Sequence, residues 1–172
     1  MALDPGIMRF AIGMVSLIPL SFPMRYMSKH VKYWYSLILS FVLQIWIYQI
    51  SVFPVLLQNL IVWAIIKTKG PKCGKLVLFE SMICLSGYHI YEVIWNYGGW
   101  SMNARTMMMI MVCKYSLFAY NIEDGAVTDE KKLSEEQKQF KIKEFTFMEY
   151  IGYINFLPTS ILGPPIEYRF YQ

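Results

Sequence analysis

His89 and Glu92 are the residues of this chain best suited to acid–base chemistry. They stand three positions apart in the apolar run 76–95, LVLFESMICLSGYHIYEVIW. A histidine base can take the proton of a substrate hydroxyl when a carboxylate fixes its tautomer. On a helix, i and i+3 share a face. Asn96 at i+7 extends that stripe, whereas Glu80 faces the opposite side. The same spacing also describes a buried polar pair that braces packing or lines a cavity.

A second polar stripe lies just downstream. The stretch Trp100–Gly125, WSMNARTMMMIMVCKYSLFAYNIEDG, is long and apolar enough to cross a bilayer, yet it carries Asn103, Lys114 and Asn121 and ends in Asp124-Gly125. Asn103 and Lys114 are eleven residues apart and Lys114 and Asn121 seven. At about 100° per residue, both steps fall within about 20° of whole turns. The three side chains therefore form one stripe with the lysine in the middle. A lysine at mid-membrane costs about 2.5–3.5 kcal/mol on insertion scales. It is tolerated where the stripe meets a wet cavity, a partner charge, or a polar seam between helices. The neighbouring Met107, Met108, Met109 and Met111 supply flexible apolar surface, suited to an acyl chain or to ordinary packing.

Several other chemistries are excluded. No G-x-S-x-G elbow, P-loop, G-x-G-x-x-G or H-E-x-x-H motif occurs. The two histidines are too few for a membrane di-iron centre, and no metal site is expected. The three cysteines, Cys73, Cys84 and Cys113, have neither metal-ligand nor disulfide-framework spacing. The net charge of +4 comes from basic residues in short loops, with no nucleic-acid motif.

The elements that must hold these residues are membrane helices. Of the 172 residues, 56% are hydrophobic and only 16% charged, against roughly 25% charged in a soluble domain. The apolar residues cluster in long runs, which indicates an all-α, polytopic transmembrane protein and not a membrane β-barrel. The spans fall at about 7–23, 33–53, 76–95, 101–122 and 147–163. Pro54 interrupts, and 55–66 is only twelve residues, about 18 Å of helix. Either 33–66 is one bent helix, or 54–66 is re-entrant or completed by neighbouring residues. The basic loops RYMSKHVK and KTKGPKCGK prefer the same side of the membrane, which favours a hairpin. The polar segment 123–146 mixes seven acidic with five basic residues. Ser134 and Gln137 form a capping box, and Phe140, Ile142, Phe145 and Phe147 give a charged helix at about 133–146 an apolar side. That is an amphipathic helix lying on the membrane surface. Nothing divides the chain, so residues 1–172 read as one transmembrane unit. The abrupt end after IEYRFYQ reads as the edge of a fragment of a larger helical fold.

These residues together resemble the membrane-bound O-acyltransferases, in their lysophospholipid acyltransferase branch. WNYGGWSMNARTMMMIMVCKYSLFAYNIEDG is similar to the family's aromatic-Gly-Trp, Met-rich helix, Lys, Asn and Asp-Gly order. LSEEQKQFKIKEFTFMEYIGYINFLPTSILGPPIEYRFY looks like its Leu-Ser-x-x-Gln helix followed by a Gly-Pro-x-x-Glu-Tyr element. That element falls here on Gly163, Pro164, Glu167, Tyr168 and Tyr171. The resemblance covers 88–172 in motif and 1–87 in hydropathy. Asn103 stands where the family usually has Asp, and Arg105-Thr106-Met107 replaces its Thr-Gly-like turn.

The resemblance implies transfer of a fatty acyl group from acyl-CoA to a lysophospholipid hydroxyl in the endoplasmic reticulum membrane. Acyl-CoA is the co-substrate, and no other cofactor is implied. In the family the catalytic histidine lies in a Trp-His-Gly-like motif downstream of the Gly-Pro element, and its partner Asn is also downstream of that element; the sequence as given ends before both, so no catalytic residue is assigned and the rest of the acyltransferase domain is required. His89, Glu92, Asn103, Lys114, Asn121, Asp124, Gly163, Pro164, Glu167 and Tyr168 are the expected lining or bracing of a substrate tunnel. The competing reading is a non-enzymatic channel, transporter or assembly subunit whose stripe lines a pore or holds helices together.

Overall fold

The computed structural model describes residues 5–95, 97, 105–128, 133–156, 159 and 163–171. Asn96, Asn103 and Pro158 lie outside the described residues. The described regular structure is helical throughout. Among the described residues, three stretches are long and apolar enough to cross a membrane: Pro5–Tyr26, His30–Lys72 and Gly74–Trp95.

The first is helix α1, Pro5–Ser21, continued by a 3₁₀ turn at Phe22–Tyr26. It runs back against α2, Lys29–Tyr48. Gly13 of α1 packs on Ile47 near the far end of α2, while the Tyr35 hydroxyl near its start donates to Leu20 O at 3.0 Å. The pair is therefore antiparallel.

The stretch His30–Lys72 folds back on itself. Gln49 takes a positive φ of 51°, a 3₁₀ turn follows at Gln49–Val52, and α3 begins at Phe53 and runs to Lys69. Pro54 lies in the first turn of α3, where a missing N–H leaves no intrahelical bond unmade. The proline thus starts a helix instead of kinking one. Tyr33, early in α2, donates its hydroxyl to Met148 O. Trp63, late in α3, stacks near Phe147 and Tyr150 with ring centroids 4.9 and 5.3 Å away. Residues thirty positions apart thus meet the same turn of chain, which only a hairpin permits. Helix α3 is 17 residues, lengthened beyond the apolar core of the segment by Phe53, Pro54 and the polar end Lys67–Lys69.

Helices α4, Gly74–Trp95, and α5, Arg105–Gly125, form a second antiparallel pair. Gly74 at the start of α4 lies against Tyr120 and Glu123 at the end of α5, and Glu92 near the end of α4 meets Arg105 at the start of α5. Helix α5 is enclosed. Met107, Met111, Tyr115, Phe118 and Ala119 are wholly buried, and Lys114 with them. Its exposed positions Met109, Cys113 and Tyr120 fall at steps of four and seven, a narrow outward stripe.

The polar segment breaks into pieces. Helix α6 is Glu135–Phe140, opened by a capping box in which Ser134 and Gln137 bond each other's backbone N–H. Lys141 is extended, and the Ile142 N–H crosses to Asn121 O at 2.8 Å. A second capping box, Thr146 with Glu149, opens α7, Phe147–Ile154. Residues 141–146 are not helical, so the helix expected over about 133–146 is confined to Glu135–Phe140. Helix α7 is wedged among α2, α3 and α5, with Tyr150, Gly152, Tyr153 and Ile154 buried. A last turn, α8, covers Tyr168–Tyr171. Phe118 of α5 is the hub of an aromatic cluster that joins Phe145, Tyr150, Tyr153 and Tyr168, with centroids 5.1–5.5 Å away. Ring pairs of this geometry each contribute about 0.5–1.5 kcal/mol beyond burial.

Candidate functional site

The carboxyl end of α5 gathers three pieces of chain. The Asn121 amide Nδ2 donates to Glu167 Oε2 at 2.7 Å, and Gln137 Nε2 donates to Asp124 Oδ1 at 3.1 Å. Between them, the Ile142 N–H reaches Asn121 O. Gly125 completes the junction: a Cβ there would sit 1.9 Å from Ile142 O, so any side chain would drive the two backbones apart. Tyr168, next to Glu167, is buried edge-on against Phe118. The Tyr153 hydroxyl donates to Ile166 O at 2.7 Å, pinning the approach to α8. The Asp124 carboxyl is pushed above the usual carboxylate value, by burial first and by the Glu123 charge second, while the Gln137 amide draws it back.

Two turns along α5, Lys114 has no exposed surface. Its ammonium donates to Ile154 O at 2.8 Å and to Tyr153 O at 3.2 Å, and lies 5.5 Å from the Tyr153 ring centroid. These carbonyls belong to the last turn of α7. Tyr153 O also accepts from the Phe156 N–H at 3.2 Å, so the lysine adds a second donor there, and its charge meets the negative end of the helix dipole. Lys114 and Asn121 thus face the same segment, 147–171, one at its helix end and the other at Glu167.

The α4 candidates go elsewhere. Glu92 is buried and its Oε2 accepts from Arg105 Nη2 at 3.1 Å. His89 is half-buried, and among the described residues it makes no hydrogen bond, so Glu92 does not orient it. Gly163 is half-buried and Pro164 exposed, ahead of the Glu167–Tyr168 pair. Asn103 lies outside the described residues. Among the described residues no cluster of three or more His, Cys, Asp or Glu side chains could hold a metal ion.

Other polar residues of the site were not singled out by sequence. Asn59 of α3 accepts from the Tyr115 hydroxyl at Oδ1, 2.5 Å, and from the Tyr150 hydroxyl at its carbonyl, 3.1 Å, so it ties α3 to both α5 and α7. The adjacent Gln58 is buried with neither amide atom hydrogen-bonded among the described residues. On α2, Ser36, Ser40 and Gln44 repeat every four residues and are all buried. The signal was available: each is a polar side chain in an apolar run, at helical spacing.

Over 113 residues, 64% of the chain, the sequence is 26% identical to lysophospholipid acyltransferase 6 of Drosophila melanogaster. The chain is similar to an acyltransferase. The match spans 16% of that protein's length. No family model matches the sequence.

Proposed function

We propose that this chain is part of a membrane-bound O-acyltransferase that moves a fatty acyl group from acyl-CoA to the hydroxyl of a lysophospholipid, in the endoplasmic reticulum membrane. The observation that carries this reading is the junction at the end of α5. Asn121, Asp124, Gln137 and Glu167 come from three separated pieces of the acyltransferase-like pattern, and they are joined by direct hydrogen bonds. The similarity to a lysophospholipid acyltransferase supports the same reaction class.

In this reading the chain holds one wall of the substrate passage. Lys114 caps the end of α7, and the α5 junction fixes the Glu167–Tyr168 element. The acid–base step belongs to a Trp-His-Gly motif outside these residues.

The test is an acyl-transfer assay with labelled acyl-CoA and a panel of lysophospholipids. The 172-residue chain alone is expected to be inactive, and the chain extended by the coding sequence that follows it is expected to be active. Turnover by the 172-residue chain alone would return His89 to the role of base. An extended protein that folds yet transfers no acyl group to any lysophospholipid would favour a non-enzymatic membrane role.

A further inference from the structure

A cleft of about 380 Å³ opens beside the α5 junction, between the extended chain after α6 and the turn α8. Its lining includes Lys138, Lys141, Lys143, Arg169, Glu144 and Tyr168. Its charged lining is thus four basic side chains and one carboxylate, and Lys141 has a further interaction of its own. Lys138 is shared with Glu135, 2.7 Å away on α6.

The backbone explains the concentration of charge. Ile142 is buried, with its N–H on Asn121 O and its peptide against Gly125. In extended chain, neighbours alternate sides, so Lys141 and Lys143 are turned away from that anchor together. Arg169 is held in place because Nη1 donates to Gln139 O at 2.8 Å. A guanidinium has five N–H donors, which leaves others for a ligand. Lys143 is exposed and, among the described residues, has no carboxylate partner. Close by, Phe170 is 69% exposed and packs its ring 5.7 Å from Phe140. Basic heads beside an exposed aromatic ring are the chemistry of a bilayer surface.

We propose that this cleft binds the phosphate of a phosphate ester at the membrane surface. Arginine and lysine together match such an anion, the arginine by paired N–H donors and the lysines as point charges. Two sources carry this chemistry, a phospholipid headgroup and a soluble nucleotide-like ester. The inference concerns binding only. It stands or falls separately from acyl transfer, because a chain inactive in transfer can still bind phosphate here.

The experiment uses the full chain in nanodiscs of zwitterionic lipid. Soluble coenzyme A is titrated in one arm, and anionic phospholipid is added to the nanodisc in the other. The variants are Lys143→Gln alone and Lys143→Gln with Arg169→Gln. Lys69→Gln with Lys72→Gln is the control, with equal charge loss in another loop. Circular dichroism confirms that helicity is retained. At about 1 kcal/mol per interfacial cation, the single variant is expected to bind about fivefold more weakly and the double about 25-fold. The control is expected to bind as the parent does. Loss confined to the coenzyme A arm identifies a soluble ester, loss confined to the lipid arm identifies a headgroup, and loss in both supports the shared chemistry. Binding of neither probe by the parent, cleft variants that bind like the parent, or an equal loss in the control overturns the proposal.

Discussion

The Lys114 ammonium stands 2.8 Å from Ile154 O, forty residues further along the chain. Among the described residues, this buried cation is therefore satisfied by the end of a helix and not by a carboxylate. Charge-assisted hydrogen bonds to a neutral acceptor contribute about 1.5–3 kcal/mol, and here the alternative is two buried carbonyls with one partner fewer.

That relationship makes the first prediction. Lys114→Leu should lower the stability of the purified chain by about 2 kcal/mol, read as a fall in thermal midpoint in detergent. Lys114→Gln keeps a donor and should fall between. A leucine variant as stable as the parent would show that the ammonium does not hold α7.

Asn121 and Glu167 should be energetically coupled. A double-mutant cycle with Asn121→Ala and Glu167→Ala is expected to give about 1 kcal/mol of coupling, as residues in direct contact do. Simple additivity would mean that the 2.7 Å hydrogen bond contributes nothing to the junction.

The glycines separate close approach from mere flexibility. Gly125→Ala should destabilise by more than about 2 kcal/mol, because the obstacle is the Ile142 backbone, which has no rotamer to yield. Gly87→Ala, in mid-α4 with open space around it, should instead stabilise by up to about 1 kcal/mol. The pair of thermal midpoints checks both at once.

The two capping boxes should each matter locally. Ser134→Ala and Thr146→Ala are expected to cost about 1 kcal/mol apiece. Hydrogen exchange should speed at the amides of Gln137 and Glu149 respectively, the donors to those hydroxyls. Uniform loss of protection across the chain would point to a global effect instead.

Asp124 carries a pH dependence with a definite sign. Its carboxyl is raised in the folded chain, so the folded state favours the protonated form. The stability it contributes is present at acid pH and is lost as pH rises through and just above the ordinary carboxylate range. Asp124→Asn still accepts from Gln137 and should flatten the stability profile in that window. An unchanged profile would place the dependence on other groups.

By itself, the amino-acid order determined the helical class, the long apolar stretches, the Ser134–Gln137 cap and the angular alignment of Lys114 with Asn121. Each of these depends on residues within a few turns of one another, where propensity, hydrophobic runs and side-chain periodicity act. The Thr146–Glu149 cap was equally local and was readable from the same spacing. The tertiary structure alone decided the partners. It gave Glu92 to Arg105 and not to His89, set Lys114 on the end of α7, and turned Pro54 into a helix start behind the reversal at Gln49. It also joined Asn121 to Glu167 across 46 residues. A helical wheel says which side chains share a face. What that face meets is settled only when non-local chain packs against it, because a buried polar group takes whichever partner the packing delivers.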